Sequence, residues 1–84
     1  MPEYLVELYV PRTGAQDVHT AAGRARAAAE ELTREGTPVR YLRFLFLPED
    51  ETCFHLFDGP SADAVRLASE RAGLSPERIV QTAD

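Results

Sequence analysis

The stretch VRYLRFLFLPEDETCFHLF, Val39–Phe57, decides the fold. It reads as two strands around a polar turn. Successive strand side chains point to opposite faces. In the first strand, Val39 to Leu47, that rule puts Leu42, Phe44 and Phe46 on one side. Tyr41, Arg43, Leu45 and Leu47 fall on the other. The segment PEDE, Pro48–Glu51, is a turn of proline and acids. The second strand lies within DETCFHLF, Asp50–Phe57, and opposes Phe54 and Leu56 to Cys53, His55 and Phe57. Two strands joined so tightly pair antiparallel.

Upstream, DVHTAAGRARAAAEEL predicts a helix that starts near Asp17, a good N-cap residue. Val18, Ala21, Ala22, Ala25, Ala29 and Leu32 recur at helical spacing and form one apolar stripe. Glu30 and Arg34 are spaced i, i+4 in the favourable order. Gly36 suits a left-handed residue after the helix, and Pro38 prevents its continuation. Before the helix, EYLVELYV, Glu3–Val10, alternates Tyr4, Val6, Leu8 and Val10 against a mixed face. Downstream, Ser61 is the N-cap of a second helix whose Ala64, Val65, Ala68 and Ala72 point inward. Gly73 ends it, and RIVQT, Arg78–Thr82, is a short last strand.

The element order is β-α-β-β-α-β, an α+β ferredoxin-like arrangement with an antiparallel sheet and both helices on one face. The chain of 84 residues forms one domain, 1–84. By alternation, Tyr4, Val6, Leu8, Val10, Leu42, Phe44, Phe46, Phe54 and Leu56 are expected beneath the helices. Leu5, Glu7, Tyr9, Tyr41, Arg43, Leu45, Leu47, Cys53, His55 and Phe57 are expected on the open face. That face is too apolar to stay wet. A second copy of the same sheet is its expected cover, which makes the chain a homodimer.

Charge and composition narrow the function classes. A net charge of −5 and a pI near 4.9 argue against nucleic acid, whose phosphates need a basic surface, and against anionic membranes. The one cysteine excludes an intramolecular disulfide. The segment MPEYLVE lacks the basic and apolar regions of a signal peptide, so a cytoplasmic location with a reduced thiol is the expectation.

The candidate site residues follow from the faces. Cys53 and His55 share one side of a strand and carry soft donors that suit zinc, nickel or copper. Glu7 adds a carboxylate, and His19 stands in the first turn of the first helix. The same Cys-x-His spacing equally serves a buried free thiol beside a histidine satisfied by Glu7, and spacing alone favours that version. Glu7, Tyr9, Arg43 and His55 also resemble acid–base equipment, although Glu7–Arg43 as a buried ion pair that sets dimer register is the favoured version. No phosphate loop, nucleophile elbow, CxxC or HExxH motif is present.

The segments YLVE, DVHTAAGRARAAAEEL, GTPVRYLRFLFLPEDETCFHLF and RAGLSPERIV resemble a family of small bacterial ferredoxin-like domains of unknown function, often described as nickel-binding proteins. The resemblance implies a dimer and a nickel or other divalent transition-metal ligand, held for sequestration or homeostasis without catalysis. It points to His19, Cys53 and His55 as metal ligands, with Glu7 as helper. The family pattern CFCLF carries cysteine where this chain has His55, so one soft donor replaces another. The alternative is a small isomerase, cyclase or cofactor-free monooxygenase with a pocket near His55, Glu7 and Arg43.

Overall fold

The computed structural model describes residues 1–83. Strand β1 is Glu3–Tyr9, helix α1 Ala15–Arg34, strand β2 Arg40–Leu47, strand β3 Thr52–Asp58, helix α2 Ala62–Arg71 and strand β4 Arg78–Gln81. The sheet is antiparallel with order β2-β3-β1-β4. The predicted β-α-β-β-α-β order and the ferredoxin-like α+β fold are therefore observed.

Local chemistry accounts for the element ends. The Ser61 side chain accepts a hydrogen bond from the Ala64 amide, 3.1 Å, and caps α2. Gly36 and Gly73 take positive φ values of 103° and 78° after the two helices. Helix α1 begins two residues earlier than Asp17, at Ala15, with Gly14 as N-cap and no side-chain cap. Asp17 instead lies in the first turn, where its charge favours the helix dipole. The PEDE turn is a short 3₁₀ helix, Pro48–Asp50, closed by Glu51 in the left-handed conformation at φ 48°.

Both helices bury alanine-rich stripes, so their backbones approach the sheet closely. Val18, Ala21, Ala22, Ala25, Ala28, Ala29 and Leu32 of α1 are buried. From α2 come Ala64, Val65 and Ala68. The helices are clamped together at their surface by Arg71, which donates to Glu31 at 2.6 Å and Glu35 at 2.7 Å. The ion pairs of the described residues do not include Glu30 with Arg34.

The face assignment of β3 is the reverse of the one expected. Residues paired across an antiparallel ladder share a face. Tyr4, Val6 and Leu8 of β1 pair with Phe57, His55 and Cys53. Cys53, His55 and Phe57 therefore lie beneath the helices with no measurable exposure. Phe54 and Leu56 belong to the open face, opposite Glu7 and Leu5. Both sides of β3 carry large apolar residues, so its own pattern has no preferred side; the register with β1 chooses.

Tyr41 is also displaced from its expected face. A β-bulge falls between Tyr41 and Arg43: these pair with Phe57 and Leu56, so β2 spends two steps where β3 spends one. The bulge places Tyr41 on the helix side together with Phe44 and Phe46. Arg43, Leu45 and Leu47 remain on the open face as expected.

The close helix–sheet approach leaves no room for growth at Ala25, which is fully buried. Ala25→Leu is expected to lower stability by about 1–3 kcal/mol, measured by urea unfolding. A smaller loss would show that the stripe tolerates a wider separation.

Candidate functional site

Three polar side chains meet beneath α1. Tyr41 Oη and His55 Nδ1 are 2.8 Å apart, and His55 Nε2 lies 3.7 Å from Cys53 Sγ. Strand β3 supplies the thiol and imidazole at i and i+2. The bulge in β2 supplies the phenol. Phe44 and Phe57 flank the group, with Tyr41 edge-on to Phe57 at 5.2 Å and Phe44 at 6.2 Å from the His55 ring.

Burial sets the protonation of all three. It lowers the His55 pKa from 6.5 to about 4, so the ring is neutral at pH 7. It raises Cys53 from 9.0 to about 11. It raises Tyr41 from 10.0 to about 12, helped by the neighbouring Cys53. The group is thus a neutral chain of phenol, imidazole and thiol. A phenol is a better donor than a thiol, so we assign Tyr41 as donor to Nδ1, with the ring proton on Nε2 toward the sulfur. Arg26 lies over the outer face of the Tyr41 ring, 5.2 Å from its centroid.

The four expected metal ligands are divided among three places. Cys53 and His55 adjoin each other in the core. His19 is exposed on α1, its ring edge-on to Phe44 at 5.3 Å. Glu7 is on the opposite side of the sheet, where it receives a hydrogen bond from Arg78 Nε at 2.5 Å. Among the described residues, no group of three or more His, Cys, Asp or Glu side chains is arranged to hold a metal ion.

The expected pocket of His55, Glu7 and Arg43 is not assembled, because His55 lies on the helix face while Glu7 and Arg43 lie on the other. A cleft of about 220 Å³ does reach His55, from the helix side. Its walls include Leu8, Val10, Val18 and Leu74, with Asp17 and Arg24 at its rim.

The residue missed at the sequence level is Tyr41. Only an extra residue in β2 turns it inward, and the run RYLRF carries no glycine to announce a bulge.

The chain matches the family described as nickel responsive protein SCO4226-like over residues 4–82. Its fold matches the crystal structure of SCO4226 from Streptomyces coelicolor A3(2) with a TM-score of 0.80 and 22% sequence identity. That alignment covers 95% of this chain and 94% of the other. No match is found among curated proteins. Among the described residues, no helix is long and apolar enough to cross a membrane.

The buried triad fixes a pH profile. His55 binds a proton near pH 6.5 when unfolded and only near pH 4 when folded. Its contribution is therefore complete above pH 6.5 and is lost as pH falls toward 4. Cys53 and Tyr41 act in the opposite sense. Their contribution is complete below pH 9 and is lost as pH rises through about 11 and 12. In a His19→Ala background, unfolding free energy is expected to fall by about 2 kcal/mol between pH 6.5 and 5. Urea titrations at these two pH values measure the change. A flat profile there would mean that His55 is not held neutral.

Proposed function

From its membership of the SCO4226-like family of nickel responsive proteins, we propose that this chain is a homodimeric protein that binds a divalent transition metal, nickel, for sequestration or homeostasis. The observation that carries the reading is the 3.7 Å approach of Cys53 Sγ to His55 Nε2. Two donors that share one metal at ordinary bond lengths stand roughly 3.5 Å apart. The Tyr41 hydroxyl on Nδ1 is the outer contact that orients a ligating imidazole. For Nε2 to ligate, the ring proton moves from Nε2 to Nδ1, where the Tyr41 oxygen accepts a hydrogen bond from it in place of donating one.

The donor set fits a soft divalent ion in kind, and imidazole suits nickel. The protein contributes a thiolate and an imidazole, and water completes the coordination. Both donors are fully buried, so access requires local opening. The cleft that reaches His55 between β1, α1 and the loop at Leu74 offers a way in. Glu7 is held by Arg78 on the far face and belongs to the second half of the proposal, the dimer. His19, being exposed, offers at most a weak separate site.

A nickel titration separates these assignments. Cys53→Ser with His55→Ala is expected to abolish tight binding, whereas His19→Ala leaves it within about twofold. Equal affinity in the wild type and the double variant would place the metal elsewhere.

The dimer rests on the open sheet face. Tyr9, Leu45, Leu47 and Val80 are 59%, 42%, 42% and 37% exposed there, beside Leu5 and Phe54. Such a face is larger in apolar character than monomers ordinarily leave in water. Its alternation with Glu7, Arg43 and Arg78 gives a self-complementary pattern under two-fold symmetry. Sedimentation at tens of micromolar, an order of magnitude suited to a modest interface, is expected to give a dimer. Leu45→Glu with Leu47→Glu is expected to give a monomer. A monomeric wild-type protein would remove this half of the proposal.

A further inference from the structure

The charge of this protein is unevenly distributed. It has fourteen acidic side chains and nine basic ones, and every basic one is arginine. With carboxylates in excess, each guanidinium has ample choice of partner. Arg12, Arg40, Arg71 and Arg78 are ion-paired. Among the described residues, Arg24, Arg26, Arg34, Arg43 and Arg66 have no carboxylate within salt-bridge distance. Of these, Arg26 and Arg43 line one cleft of about 350 Å³ between α1 and the edge strand β2, Arg26 from the helix and Arg43 from a strand position that belongs to the open face.

The lining of that cleft is chemically one-sided. His19 and Arg26 come from α1, and Tyr41, Leu42, Arg43 and Phe44 from β2. Two guanidiniums and an imidazole border it, and no acidic side chain does. Glu30 belongs to the adjoining cleft beyond Arg26, where Arg40 also lies. The floor is aromatic and aliphatic. Two of its side chains rest on that floor: Arg26 over Tyr41 at 5.2 Å and His19 edge-on to Phe44 at 5.3 Å. On α1 the cleft passes Gly23, where an added Cβ would meet nothing within 4 Å.

We propose that this cleft binds a small aromatic carboxylate. A planar carboxylate matches the fork of a guanidinium, and Arg26 and Arg43 supply two forks free of internal partners. The planar body would rest on Tyr41, Leu42 and Phe44, where apolar contact adds to the charge term. The volume lies at the small end of organic-ligand pockets. It accommodates a substituted single ring and excludes nucleotide-sized cofactors. A bare phosphate would gain the charge term without using the floor. The cleft includes neither Cys53 nor His55, so this site is independent of the metal reading. Arg43 also borders the proposed dimer face, so the Arg43 variant is compared with the wild type at the same oligomeric state, checked by sedimentation.

Metal-free protein titrated with benzoate and followed by amide NMR tests the assignment. Shifts are expected at Gly23 and across Tyr41 to Phe44. Benzamide, which keeps the ring and loses the charge, is expected to bind about tenfold more weakly, the contribution of one hydrogen bond to a charged group. Arg26→Gln and Arg43→Gln are each expected to weaken benzoate by about the same factor. Both positions are exposed, so both variants should fold. Arg66→Gln, exposed on α2 and outside the cleft, should bind as the wild type does. The proposal is overturned if benzamide equals benzoate, if either cleft variant keeps full affinity, or if the shifts fall elsewhere. Inorganic phosphate binding as tightly as benzoate would overturn the aromatic part.

Discussion

The register between β1 and β3 is the constraint on which the remainder of this structure depends. When Val6 faces His55 and Leu8 faces Cys53, the apolar face of β1 draws the thiol and imidazole under the helices with it. A slip of one residue would send both to the open face and bring Phe54 and Leu56 inside. The protonation of the buried group and the composition of the open face follow from that alignment. The bulge in β2 then completes it by turning a phenol toward Nδ1, which leaves no buried side-chain nitrogen or oxygen unpartnered among the described residues.

A neutral, hydrogen-bonded polar cluster in a small core has consequences for both stability and function. A domain of this size has a limited apolar core, and a fully satisfied network there specifies one arrangement of strands. The same burial that keeps His55 neutral makes Cys53 a reluctant thiolate. In the proposed metal reading, binding at this pair would release a proton. Outside the core, the helix–edge-strand cleft with its unpaired guanidiniums offers a second kind of chemistry, on a surface that is solvent-accessible from the start.

Much of the fold was legible in local pattern. The alanine stripe of α1, the cap at Ser61 and the glycines at 36 and 73 are short-range signals, and each appears where expected. The candidate site was legible only as a pair. Cys-x-His on a strand implies a shared side, and Cys53 and His55 do share one. Which side was not readable, because β3 alternates Cys, His and Phe against Phe and Leu, and both sets are plausible core. Glu7 and Arg43 were expected beside His55 on the strength of strand adjacency, but adjacency brings residues together only when they point the same way.

What the sequence by itself determined is the order and type of the elements, the antiparallel ferredoxin-like sheet and the proximity of Cys53 to His55. These depend on residues within a few positions of one another, through alternation, helical period and turn chemistry. What only the tertiary structure decided is the face those two residues occupy, the inward turn of Tyr41 and the gathering of Arg26 and Arg43 around one cleft. Each of these rests on a pairing between segments distant along the chain. Such pairings are chosen by the free energy of the whole packed sheet, in which one buried face of β1 outweighs the ambiguous preference of β3.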